Sequence, residues 1–235
     1  MCVLLELFIN APKLQMEVAE LDVERDLCGL GRPPVFLIIG CRQAGKTTLV
    51  KSLIERTLPE SQHTVVVDPR GRVSRERGCC WSERCSGSEH FDEFDDLPDD
   101  RVRTSDIVVL DDVFVSGSQG SRVAQLVEDP NRKAAMIVVE QANPCIRVQP
   151  ENVDAVFLTR SNVINVRKRI FQRYIKGVGF EAFCRALDDV MDLGPWAVLV
   201  VLSGGTELRW CDTRLLCEKK VRHVTPELNP WPPME

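Results

Sequence analysis

The chain has 235 residues, enough for one α/β domain with short appendages and a sizeable core. A net charge of −5 excludes a polycation that binds nucleic acid by composition alone, so any such contact must come from local patches. The ten cysteines are scattered through apolar and motif positions, which points to a reduced, intracellular compartment rather than a disulfide scaffold.

Residues 1–34 read as an N-terminal lead-in. The early run Cys2-Val3-Leu4-Leu5 is interrupted by Glu6 and has neither a basic start nor a cleavage site. It predicts neither a signal peptide nor an integral membrane segment, and no other apolar stretch approaches membrane length. The lead-in closes on the breaker cluster Gly29-Leu30-Gly31-Arg32-Pro33-Pro34. Val35-Phe36-Leu37-Ile38-Ile39 follows, an unbroken apolar run that predicts a strand buried on both faces.

Directly after it stands Gly40-Cys41-Arg42-Gln43-Ala44-Gly45-Lys46-Thr47, two glycines flanking four free positions and then Lys-Thr. This is the spacing of a phosphate-binding P-loop. Gly40 and Gly45 allow a tight turn in which successive N–H groups point at phosphate oxygens. Lys46 supplies positive charge for the β- and γ-phosphates, and the Thr47 hydroxyl suits a Mg²⁺ ion bridging them. The nucleotide-binding set runs from Gly40 through Thr48. Leu49, Val50, Leu53, Ile54 and Leu58 then recur at helical spacing until Pro59, so strand, loop and helix come in the order the motif requires.

A second strand, Thr64-Val65-Val66-Val67, leads into Asp68-Pro69-Arg70-Gly71. Residues 70–105, basic at first and acidic later, read as a surface excursion. A third strand, Ile107-Val108-Val109-Leu110, ends in Asp111-Asp112, the arrangement of a Walker B element. Asp111 is the expected Mg²⁺ partner, and Asp112 is placed to orient or deprotonate the attacking water. A fourth strand, Ala135 to Val139, ends at Glu140-Gln141, where the Gln141 amide is a candidate γ-phosphate sensor. A fifth strand, Ala155 to Leu158, ends at Thr159-Arg160. Helical patterns near 166–176 and 180–192 follow, then Ala197 to Leu202 and Glu207 to Trp210 as a terminal hairpin or edge pair. Alternating buried strands and crossovers predict a mostly parallel central sheet wrapped by helices in three layers. The domain spans 35–215, with 216–235 as a C-terminal tail.

Two competing readings are weaker. Asp68-Pro69-Arg70-Gly71 also fits the Asp-x-x-Gly of a GTPase switch loop, but Asn131-Arg132-Lys133-Ala134 lacks the Asp that reads guanine, so ATP is favoured over GTP. Cys79, Cys80, Cys85 and His90 lack the paired Cys-x-x-Cys knuckle of a zinc site, and read as part of a loop.

The order of elements resembles the poxvirus A32-like genome-packaging ATPases, a branch of the FtsK-HerA translocases. The resemblance is carried by Glu20-Leu21-Asp22-Val23, by the loop with Arg42 two residues after its first glycine, and by Asp111-Asp112. It continues through Asn131-Arg132-Lys133, the strand ending at Gln141, Ile146-Arg147, the stretch Asn152 to Leu158 and a helix like Arg167 to Tyr174. Gln43-Ala44 departs from the small Gly/Ser residues usual there.

The resemblance implies an ASCE-type P-loop fold and an ATPase that hydrolyses Mg·ATP to move double-stranded viral DNA into a capsid. It implies a homo-oligomeric ring, capsid or portal partners, and a place in the host cytoplasm where virions assemble. A ring needs an arginine supplied in trans, for which Arg132, Arg147 and Arg160 are candidates. Arg169, Arg173 and Lys176, on one side of a helix, are a candidate phosphate-tracking face, with the basic run after residue 70 as rival. A P-loop kinase, or a protein in which ATP binding only holds an assembly together, are the alternatives.

Overall fold

The computed structural model describes residues 18–28, 30–57, 63–68, 88–111, 118–141, 148–161, 163–202 and 204–214. Five apolar runs fix its centre. Strands β2 (Val35–Gly40), β3 (Thr64–Val67), β5 (Ile107–Asp111) and β7 (Ala155–Leu158) are buried at every position, and β6 (Ala135–Gln141) at all but its last. Side chains that are apolar on both faces of a strand are satisfied only inside a sheet covered on both sides.

These strands lie side by side and parallel, and the sheet is completed by β1 (Ala19–Glu20), β4 (Glu89–Phe91), β8 (Ala197–Leu202) and β9 (Leu208–Asp212). Among the described residues the order is β1-β9-β8-β7-β2-β6-β5-β3-β4. Only β8 runs against its neighbours, pairing antiparallel with β7 and β9. The strand that leads into the P-loop, β2, therefore does not touch the strand of the acid pair, β5. Strand β6 separates them, with Gly40 opposite Gln141 and Asp111 opposite Val139.

Strand alternation divides the interior into two layers. On one face Phe36, Ile38, Ile137, Val139 and Phe157 pack against helix α2 (Lys46–Thr57) through Leu49, Val50 and Leu53. Phe36 and Phe157, both fully buried, meet edge to face at 5.8 Å and 84°. On the other face Leu37, Ile39, Met136 and Val138 pack against α3 (Asp99–Thr104), α4 (Ser118–Glu128), α5 (Ile164–Tyr174) and α6 (Phe180–Asp192). Helix α6 shows why: Phe183, Ala186, Leu187, Val190 and Met191 fall on one stripe and are buried, while Arg185, Asp188, Asp189 and Asp192 are directed away from the core. The expected three-layer α/β architecture with a mostly parallel central sheet is present. No described helix is long and apolar enough to cross a membrane.

Two segments belong to the domain more closely than their sequence suggests. The lead-in supplies the edge strand β1, parallel to β9, and the short helix α1 (Val23–Asp26). Its Leu21, Val23 and Leu27 are buried in the α2 layer, so the terminal hairpin is not the sheet edge. The later half of the 70–105 segment is likewise structural: β4 pairs parallel with β3, and Phe94, Leu97 and Val102 are buried. Arg122 on α4 clamps it, donating to the carbonyls of Phe94 and Leu97 and stacking over the Phe94 ring at 4.9 Å. The acidic composition hid these apolar anchors because they are single residues between exposed charges.

Asp154 pins the start of the central strand. Its N–H donates to the Val35 carbonyl at 2.9 Å, its carboxylate accepts from Val35 N–H at 2.8 Å, and Arg32 donates to the same carboxylate at 2.6 Å. Replacing it with alanine leaves the buried Val35 N–H without its acceptor, which costs about 1–3 kcal/mol. Asp154→Ala is expected to lower the unfolding free energy by that amount, read as a lower urea midpoint with the slope unchanged; an unaltered midpoint would show the bond to be dispensable.

Candidate active site

At the carboxyl ends of parallel strands the backbone leaves the sheet, and there the ends of β5, β6, β2 and β7 stand side by side. The loop after β2 is shaped by two left-handed residues, Gln43 at φ 60° and Gly45 at φ 76°. Gly45 meets this at no steric cost, whereas a residue with a Cβ gives up about 1–2 kcal/mol there. Gln43 thus holds strain at the position where this loop departs from the usual small residues. Such strain persists where the surrounding structure over-determines the backbone, commonly at ligand sites.

Gly40 is required for a different reason. A Cβ on it would stand 1.6 Å from Thr159 Oγ1 and 2.9 Å from Thr159 Cβ, so the end of β7 fills the space a side chain would need. Thr159 N–H and its hydroxyl both donate to the Ile39 carbonyl, and Cys41 N–H donates to the Arg160 carbonyl at 3.4 Å. The base of the loop is therefore locked to the strand beside it. Thr159 has no chemical motif to mark it; its only signal in sequence is that it ends a buried strand.

Helix α2 begins at Lys46, whose side chain is buried and curls back over the loop, donating to the carbonyls of Gly40 at 3.2 Å and Cys41 at 2.8 Å. The next residue reaches across the sheet: Thr47 Oγ1 donates to Asp111 Oδ2 at 3.1 Å. The two expected metal-binding residues are thus in contact, 64 residues apart in sequence. A hydroxyl and a carboxylate are hard oxygen donors of the kind that hold Mg²⁺. Thr48, Arg42 and Gln43 are exposed, and Cys41 and Ala44 half-buried.

Gln141 ends β6 beside Gly40, on the same face of the strand as Ile137 and Val139. That is the face carrying α2 and the P-loop. Its neighbour Glu140 is buried on the opposite face near Tyr174, where its charge adds to the effect of burial in pushing the phenol up to about 12.

The candidate arginines separate clearly. Arg132 lies at the amino-terminal end of the sheet, where its guanidinium donates to the carbonyls of Pro33, Pro34 and Ala134. Burial, then the neighbouring Arg32 charge, lower its pKa. It is not brought to the P-loop of its own chain. Arg160 is exposed at the P-loop end. Arg147 and Asp112 lie outside the described residues, as do Cys79, Cys80 and Cys85; His90 Nε2 is 2.8 Å from Ser88 Oγ.

The basic side of α5 is narrower than its spacing suggests. Arg173 donates to the Val148 carbonyl at 2.9 Å and Arg167 is clamped by both oxygens of Asp188. Lys168, Arg169 and Lys176 are the exposed cations of this region.

No family model matches the chain, and no curated protein does. Among solved structures, it is similar to the genome packaging NTPase B204 from Sulfolobus turreted icosahedral virus 2. In complex with ATP-gammaS, that protein aligns at 11% identity and TM-score 0.49, over 75% of this chain and 96% of that one. In complex with AMPPCP the figures are 12% and 0.47, over 76% and 96%, and with AMP 12% and 0.48 over the same shares. At this level the likeness carries no argument about chemistry, and the fold stands on the strand order above.

The Gly40–Thr159 contact yields a direct test. Gly40→Ala is expected to cost about 1–3 kcal/mol by overpacking, and the cost should shrink in a Thr159→Gly background, where the obstructing Oγ and Cβ are gone. Equal costs in both backgrounds, measured as a double-mutant cycle of denaturant midpoints, would exclude the contact as the reason for glycine.

Proposed function

We propose that the chain is an ATP-hydrolysing motor that moves double-stranded DNA during the packaging of a viral genome. The observation that carries this reading is the insertion of β6, ending in Gln141, between the P-loop strand and the Asp111 strand. A phosphotransfer kinase has no need of that strand, whereas a hydrolase that must sense γ-phosphate gains a polar amide midway between loop and acid. The family resemblance of the Gln141 to Leu158 block supports the same choice.

In this reading the loop N–H groups and the α2 amino terminus cradle the phosphates. Lys46 exchanges its carbonyl partners for β- and γ-oxygens, a move of its flexible stem within the loop. Thr47 and Asp111 would hold Mg²⁺, which when bound offsets the charge of the β- and γ-oxygens. Asp112 orients the attacking water and accepts its proton, and Gln141 reports whether the γ-phosphate is present. An arginine from a neighbouring subunit stabilises the transferring phosphoryl group. Arg160, exposed at the P-loop end, Arg147 and Arg132 are the candidates. A ring of identical subunits, DNA phosphates against exposed Lys168, Arg169 and Lys176, and a capsid or portal docking partner complete the proposal, placing the protein where virions assemble.

The decisive measurement is the ATPase rate of the full chain with and without double-stranded DNA, alongside oligomer mass. Duplex DNA is expected to stimulate turnover, and Lys46→Ala and Asp112→Asn to lower it by about two orders of magnitude or more, with Asp112→Asn still binding nucleotide. If the wild type binds ATP and hydrolyses it no faster than Asp112→Asn, with or without DNA, the motor reading is wrong and a purely structural role for nucleotide stands.

A further inference from the structure

Trp196 is 38% exposed, unusual for so large an apolar ring, and it stands at the P-loop. A Cβ on Gly45 would lie 3.6 Å from its Cζ3 and 3.8 Å from its Cε3, so the indole edge is already at van der Waals range of the phosphate loop. It sits one residue before β8, which is antiparallel to β7; the start of β8 is thus at the same end of the sheet as the P-loop. Alternation along that strand gives Trp196 the side of Val198 and Val200, which pack in the α2 layer.

The ring is carried on a fixed backbone. The Trp196 carbonyl accepts from Thr213 N–H at 3.0 Å, and Ala197 N–H donates to the Gly194 carbonyl at 3.3 Å. Ala197 is then held in register with Asp212. Two apolar neighbours in the chain are exposed beside it, Pro195 and Leu193, the latter at 60%.

The direction of the site follows from the sheet order. Asp111 and Gln141 lie on the β6–β5 side of the P-loop strand, and Trp196 lies on the β7–β8 side. A triphosphate with its γ-end at the acids and its chain across the loop leads its nucleoside toward the indole. We propose that Trp196 is the platform on which the base of the bound nucleoside triphosphate stacks, an inference that rests on the P-loop reading above. A part-exposed aromatic ring carried on a fixed backbone offers a base stacking area with little ordering cost. Stacking is tolerant of which base it receives, so this platform adds affinity for a nucleoside over bare phosphate more than it discriminates between purines.

The test compares binding of ATP and of inorganic tripolyphosphate, both with Mg²⁺, to the full chain by calorimetry. Trp196→Ala is expected to weaken ATP about tenfold or more and to leave tripolyphosphate affinity within twofold. ATP is expected to quench the indole fluorescence of the wild type, and Trp196→Phe should restore ATP affinity while abolishing that quenching. The proposal is overturned if Trp196→Ala binds ATP as the wild type does, or loses both ligands equally, which would mark the ring as a brace for the loop. It is also overturned if that variant changes only the oligomer mass, which would mark a subunit contact. A wild type that binds neither ligand would instead remove the P-loop reading itself, and the platform with it.

Discussion

The bond from Thr47 to Asp111 is the contact around which this protein is organised. Thr47 opens the helix that follows β2 and Asp111 ends β5; those strands are not neighbours, and strands in a sheet stand about 4.8 Å apart, so the helix start must lean over a whole intervening strand to make it. That is possible only if β2, β6 and β5 are parallel, end at nearly the same level and are stiff. Burial on both faces supplies the stiffness: every residue from Val35 to Ile39 is at most 1% exposed, and the neighbours are similarly enclosed.

What the sheet provides is a row of chain ends, each delivering one group. β2 ends in the glycine-bounded P-loop turn, β6 in an amide, β5 in a carboxylate, and β7 in Thr159, which occupies the hollow at Gly40. The antiparallel β8 returns to the same end and presents Trp196. Shear between strands would disperse these groups, and Asp154, binding Val35 by both its backbone and its carboxylate, fixes the register of β7 against β2 at the far end. Charged residues at that far end, such as Arg132 and Arg32, act as fasteners there, bonded to carbonyls and to Asp154.

Much of this was legible in the chain. Each central strand announces itself as a short, purely apolar run, because a strand covered on both faces tolerates nothing else. The P-loop spacing is equally open to reading, since the left-handed turn at Gly45 and the crowding at Gly40 leave few residue types that fit. Residues whose role comes from position alone were harder. Phe94, Leu97 and Val102 lie among acidic neighbours, and Ala19–Glu20 is too short to show alternation, so neither segment reads as part of the domain. Arg173 fits the pattern of an exposed basic face, yet it is engaged by a carbonyl from a distant loop.

Composition and spacing along the chain were enough for the buried strands, the layers and the Gly-x-x-x-x-Gly-Lys-Thr turn, because these depend on local pattern. Only the tertiary structure decided which strand lies between loop and acid, which arginines are exposed, and that Thr159 and Trp196 stand against the P-loop. Strand order and packing partners arise from contacts between residues far apart in the chain, and no local pattern of side chains encodes which of several buried strands will become neighbours.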